Sequence, residues 1–153
     1  MFPRLSSYVV RGGLLFALFF VLSFLQTTST WIHPNIFLVA IIALALFIDH
    51  AGVFLVFLCL VVWWFSYTPF LRVEYIALFG IGVIAFFLSR FFVLHKTLPI
   101  VLSFIAVFGL VFWAIVYGVG PIFSFPFLIE LLYNEALGIL FFVFGLWLEK
   151  KFS

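Results

Sequence analysis

Basic residues interrupt this chain at intervals that fit an even number of crossings of a lipid bilayer. Apolar segments over residues 8–26, 31–48, 51–67, 73–89, 98–119 and 127–148 define six spans. With the N-terminus inside, Arg4, Arg11, Arg90, Lys96, Lys150 and Lys151 all fall on one side, and Arg72 alone falls opposite. Lys and Arg concentrate on the cytoplasmic side of membrane proteins, so this bias sets orientation as well as solvent. Both termini are expected in the cytoplasm.

The residues between the charges demand the same solvent. Of 153 residues, 69% are hydrophobic and 8% charged, and the mean hydropathy is +1.48. A soluble domain of this composition would lack a polar surface, whereas a bilayer covers an apolar exterior and each helix satisfies its own backbone. Six helices of about 20 residues take up roughly 120 positions, leaving short loops and two stubs. The expected fold is an all-α integral membrane protein, a six-helix transmembrane bundle formed by a single polytopic domain over 1–153. No soluble catalytic or nucleic-acid-binding domain fits in what remains. The net charge of +2 follows from the positive-inside bias and implies no nucleic acid.

Arg4 and Arg11 ahead of an apolar run resemble the start of a signal peptide, but residues 26–30, Gln-Thr-Thr-Ser-Thr, lack a small-residue cleavage pattern. An uncleaved first span is expected. Cys59 has no second cysteine to pair with and reads as a small buried hydrophobe. The second span is short, or it is re-entrant: from Pro34, a favoured first-turn residue, to Ile48 it rises about 22 Å, against a hydrocarbon core of roughly 30 Å. Two short crossings joined by a turn at Asp49-His50 preserve the charge bias; a single crossing would split the basic residues between the two sides. Trp31, Trp63, Trp64, Tyr67, Tyr117 and Trp147 lie near span ends, as interfacial aromatic anchors do. Gly80, Gly82, Gly109, Gly138 and Gly145 lie inside spans, where a missing side chain lets helices approach.

Polar chemistry is concentrated in the last span. Glu130 and Asn134 are four residues apart and share a helix face with Gly138, Phe141 and Gly145, while Glu135 is turned by about 100° from Asn134. This face is expected to look into the bundle, as an interhelical contact or as a site for a partner or ligand. Arg72 and Glu74 are expected at the same outer end. Asp49 and Glu149 sit at span ends, where charge costs little. His33 is predicted outside and His50 and His95 inside, so the histidines do not converge on a metal. No nucleophile-elbow, zinc-protease or phosphate-loop motif occurs, and Gly80-Ile81-Gly82 lies inside an apolar helix. The chain reads as a non-enzyme without metal or cofactor.

The order of these features resembles the MreD family of bacterial rod-shape-determining membrane proteins. The resemblance is carried by the stretch at 131–142, Leu-Leu-Tyr-Asn-Glu-Ala-Leu-Gly-Ile-Leu-Phe-Phe, with Lys150-Lys151 after it. Pro34-Asn35 before a short second span and Ser66-Tyr67-Thr68-Pro69 after the third add to it. The third span departs from the family in lacking glycines and an acidic residue over 56–65. The resemblance implies a non-catalytic subunit of the lateral cell-wall elongation machinery in the bacterial cytoplasmic membrane. Its partners would be an MreC-like bitopic membrane protein and other cell-wall elongation proteins. MreD proteins also look like the six-helix substrate-binding subunits of energy-coupling-factor vitamin transporters. That alternative would need Glu130, Asn134, Glu135, Arg72 and Glu74 to build an outward-facing pocket, and Gly12-Gly13 does not supply the small-residue docking motif on the first span. An ion channel or proton carrier would want ionisable residues nearer mid-membrane.

Overall fold

In a computed structural model that describes residues 5–26, 35–65, 73–92 and 96–152, the chain is helical, with no strand among the described residues. The helices are α1 (Leu5–Gln26), α2 (Ile36–Phe47), α3 (Ala51–Phe65), α4 (Val73–Phe92), α5 (Leu98–Tyr117) and α6 (Phe125–Lys151), with a 3-10 turn at Gly120–Phe123. Helices α1, α4, α5 and α6 are long and apolar enough to cross a membrane, as a membrane protein requires, and α2 and α3 are shorter apolar helices. Successive helices run antiparallel. The end of the bundle where α2, α4 and α6 finish is called the Arg90 end, and the opposite one the Asn134 end.

Local signals set the boundaries. Ser124 caps α6 by accepting the Phe127 N–H at 3.4 Å, and Pro126 occupies the first turn, where its missing N–H has no helical partner to lose. Pro99 does the same for α5, which ends at Gly118 with φ 84°, a backbone state that glycine adopts without strain. Helix α2 begins at Ile36, with Asn35 as its cap, and so starts later than an N-terminus at Pro34 would place it. Its 12 residues rise only about 18 Å.

That short helix is the axis of the molecule. Every α2 residue except Phe37 is buried, and the helix packs against α1, α3, α4, α5 and α6. Ile-Phe-Leu-Val-Ala-Ile-Ile-Ala-Leu-Ala-Leu-Phe is apolar on all sides, the pattern of a helix enclosed by others. A span of about 18 Å facing lipid would leave the bilayer to thin around it; surrounded by longer helices, α2 has no such mismatch. Aromatic contacts tie the shell to this axis: Phe19 of α1 meets Phe37 edge-on at 5.2 Å, and Phe142 of α6 meets Phe47 at 6.2 Å.

Close approach depends on particular glycines. A Cβ at Gly145 would lie 2.5–2.6 Å from the buried Phe47 ring, and one at Gly82 would lie 2.6 Å from Leu58 and 2.9 Å from Ile41. Gly138 likewise faces Ile105, and Gly12, not singled out from the sequence, faces Phe57. Gly80 does not belong with them, since a Cβ there would meet nothing within 4 Å, and Gly109 has only ordinary contacts at 3.9 Å. Cys59, expected to be buried, is exposed on α3 beside Val56 and Leu60. Outward-facing residues such as Phe24, Val56, Ile76, Phe87, Leu132 and Val143 give the bundle an apolar exterior suited to lipid.

Gly145→Ala is expected to destabilise the protein by about 1–3 kcal/mol, because the Phe47 ring is fixed by buried neighbours. Gly80→Ala is expected to be neutral or stabilising by up to about 1 kcal/mol through helix propensity. Thermal unfolding of the two variants in the same detergent checks the contrast, and equal losses would contradict the packing described.

Candidate functional site

The polar groups gather at the two ends of α2. At one of them, Asn134 lies nearly three turns into α6 and is 2% exposed. Its side-chain oxygen accepts the Asn35 N–H at 2.7 Å, and the Asn35 side chain accepts the Leu38 N–H at 3.1 Å. The first N–H groups of a helix have no partner within it, and those of α2 start inside an apolar bundle. Asn134 and Asn35 supply acceptors there.

Around this contact lie the other candidates. Glu130, one turn earlier on α6, is partly buried and interacts with the Asn134 amide. The indole N–H of Trp113 on α5 is buried beside it, falls short of a hydrogen bond and has no partner among the described residues. Glu130 and Glu74, the latter in the first turn of α4, both lie near enough to the Tyr117 hydroxyl for their charges to act on it. Glu135 points elsewhere; one of its carboxylate oxygens is buried without a hydrogen-bond partner among the described residues. Arg72 lies outside the described residues, as do Arg4, His33 and His95.

At the Arg90 end the cations hold helix termini. Arg90 of α4 donates to the carbonyls of Ala45, at 3.2 Å, and Ile48, and pairs with Asp49 at 2.5 Å. Ser89 shares its one hydroxyl proton between the same Ala45 carbonyl, at 3.0 Å, and the Phe86 carbonyl of its own helix, at 2.7 Å. The last carbonyls of α2 thus receive a hydroxyl and a guanidinium, and the positive charge sits where the helix dipole is negative. Arg11, seventh residue of α1 and 4% exposed, donates to the Phe152 carbonyl at 2.8 Å and so caps α6, with its guanidinium 5.6 Å from the Tyr8 ring. Lys96 pairs with Glu149 and lies 5.3 Å from the centre of the Phe47 ring. His50 accepts the Val53 N–H at 3.3 Å and starts α3.

The structure brings together Asn134, Glu130 and Glu74 with Tyr117 and Trp113 at one end, and separates them from Glu135. Sequence reasoning missed Trp113 and the capping work of Arg11 and Arg90, which it took as markers of orientation. One signal for Arg11 was present: it stands well inside its apolar segment, too deep for a charge that only marks an interface. Among the described residues, no group of three His, Cys, Asp or Glu side chains is arranged to hold a metal ion. Compared with known proteins, the chain matches no family model, no curated sequence and no solved structure.

These contacts order the expected losses on substitution. Asn134→Leu leaves the part-buried Asn35 N–H without its acceptor and is expected to cost about 1–3 kcal/mol. Arg90→Met removes a charge-assisted cap, leaving the Ile48 carbonyl and Asp49 without their cation and the Ala45 carbonyl with Ser89 alone, so the larger loss is expected there. Thermal unfolding in detergent, with Ser103→Ala on the exposed side of α5 as a reference expected within about 0.5 kcal/mol of the parent, measures the ranking. A reversed order would show that the Asn134 contact, not the Arg90 cap, dominates.

Proposed function

We propose that this chain is a non-catalytic membrane scaffold subunit of the bacterial lateral cell-wall elongation machinery, binding an MreC-like bitopic partner. The observation that carries the scaffold reading is the solid axis. A transporter or channel needs polar groups converging on a space that a solute can occupy. Here α2 fills the axis with Ile, Leu, Val, Ala and Phe, and the polar groups beside it serve helix ends. The assignment to cell-wall elongation rests on the resemblance to MreD proteins carried by residues 131–142 and by Lys150-Lys151.

The same reading gives six crossings in the cytoplasmic membrane, with both termini and the Arg90 end inside. It is supported by the gathering of Arg11, Arg90, Lys96, Lys150 and Lys151 at one end. With Cys59 changed to Ser, a single cysteine at Val119 is expected to react with an impermeant thiol reagent applied to intact cells, and one at Thr97 only after permeabilisation. The reverse pattern would invert the orientation.

A second reading, a substrate-binding subunit of a vitamin-type transporter, is favoured by one observation: Glu130, Glu74, Tyr117 and Trp113 gather beyond the start of α2. Co-purification from native membranes separates the two. The scaffold reading expects a stoichiometric MreC-like protein, retained in Glu130→Gln. The transporter reading expects an ATPase module or a bound solute whose affinity falls about 10- to 150-fold in that variant, the worth of one charge-assisted hydrogen bond.

A further inference from the structure

The cations of the Arg90 end are not equivalent. Arg90 is neutralised by Asp49, Arg11 is turned onto the Phe152 carbonyl, and Lys96 is paired with Glu149. Lys150 and Lys151 are exposed and make neither a salt bridge nor a hydrogen bond among the described residues. At 100° per residue they flank Trp147, which is three and four residues earlier on α6, while Glu149 lies toward the opposite face against Lys96. Two cations without a carboxylate partner among the described residues therefore lie on the Trp147 side of α6, at the positions flanking it.

That indole and its cation are held in place. The Lys151 ammonium lies 4.6 Å from the centre of the Trp147 ring and 5.7 Å from that of Phe152, and Phe144 stacks on Trp147 at 5.7 Å. Trp147 is still 48% exposed. One and two turns toward the bundle centre, on the same face, Val143 and Leu140 are exposed and apolar. The face thus changes from hydrocarbon to aromatic to cationic within three turns, the order in which a phospholipid presents acyl chain, interface and phosphate. One effect opposes an anion here, because the carbonyls at the end of α6 carry negative partial charge. The buried Arg11 on the Phe152 carbonyl offsets it.

We propose that this face of α6 is a binding site for an anionic phospholipid, with the headgroup phosphate held between Lys150 and Lys151 over Trp147 and an acyl chain along Val143 and Leu140. The site takes a lipid in place of a free phosphate because the cationic pair continues into an exposed apolar strip. It does not depend on the scaffold reading, since a transporter subunit would carry it equally.

The test uses the full chain in nanodiscs of phosphatidylcholine doped with phosphatidylglycerol of the same acyl chains, and native mass spectrometry of the lipids retained on the protein. Phosphatidylglycerol is expected to be retained preferentially, and the preference is expected to fall about 25-fold in Lys150→Gln/Lys151→Gln, since each lysine near a phosphate contributes about a fivefold factor. Trp147→Leu, which leaves both charges, is expected to give a smaller loss. Millimolar glycerol phosphate is not expected to displace the lipid. A preference unchanged in the double lysine variant would place anionic lipid elsewhere on the protein and overturn the proposal. Displacement by glycerol phosphate would overturn it in favour of a free-anion site.

Discussion

A helix enclosed on its sides by other helices still leaves its first N–H and last C=O groups without partners of its own, and the arrangement of this protein follows from that constraint. Helix α2 is packed against neighbours on all sides, but its first N–H and last C=O groups have no partner within the helix. Leaving such groups unpaired costs several kcal/mol each in hydrocarbon. The chain meets the cost with side chains from its long helices: Asn134 from α6 at one end, Ser89 and Arg90 from α4 at the other. These residues also fix the depth of α2, because a shift of one turn would break both sets of bonds together.

Arginine at the carbonyl end has a physical rationale that lysine would not share. A guanidinium carries several donors in a planar fork, so Arg90 meets Asp49 and two carbonyls at once and still covers the Phe86 ring at 4.8 Å. Arg11 repeats the device on α6. In both cases the cation stands where the carbonyls that end a helix attract positive charge. Arg11 and Arg90 thus complete helix ends, while Lys150 and Lys151 make no salt bridge or hydrogen bond among the described residues.

This division explains which features were legible in the sequence. Helix number, and boundaries to within a few residues for α4, α5 and α6, could be read from Pro99, Ser124, Pro126 and the charged interruptions. So could the inward stripe of Asn134, Gly138, Phe141 and Gly145, whose residues are all buried. Helix α2 was legible as short but not as central, because its uniformly apolar sequence looks the same whether lipid or protein surrounds it. The partner of Asn134 was not legible either: it is a backbone N–H at Asn35, which no side-chain pattern marks. Gly80 and Gly82 show the same limit, since two glycines on one helix are separated only by the rotation that sets one against Leu58 and leaves the other against open space.

The abundance of phenylalanine sharpens that limit. Phe19, Phe47, Phe54 and Phe141 are fully buried, whereas Phe24, Phe87 and Phe91 are exposed on the outside of the bundle. In water these two groups would differ by several kcal/mol, and the sequence would have to separate them into faces. In lipid the hydrophobic difference nearly vanishes, and helix association rests on packing and hydrogen bonds. Apolar periodicity then carries little information about the fold. What positions these helices is the small set of residues unlike phenylalanine: glycines at 12, 82, 138 and 145 that admit a neighbour's side chain, and Asn134, Ser89, Arg90 and Arg11 that complete helix ends.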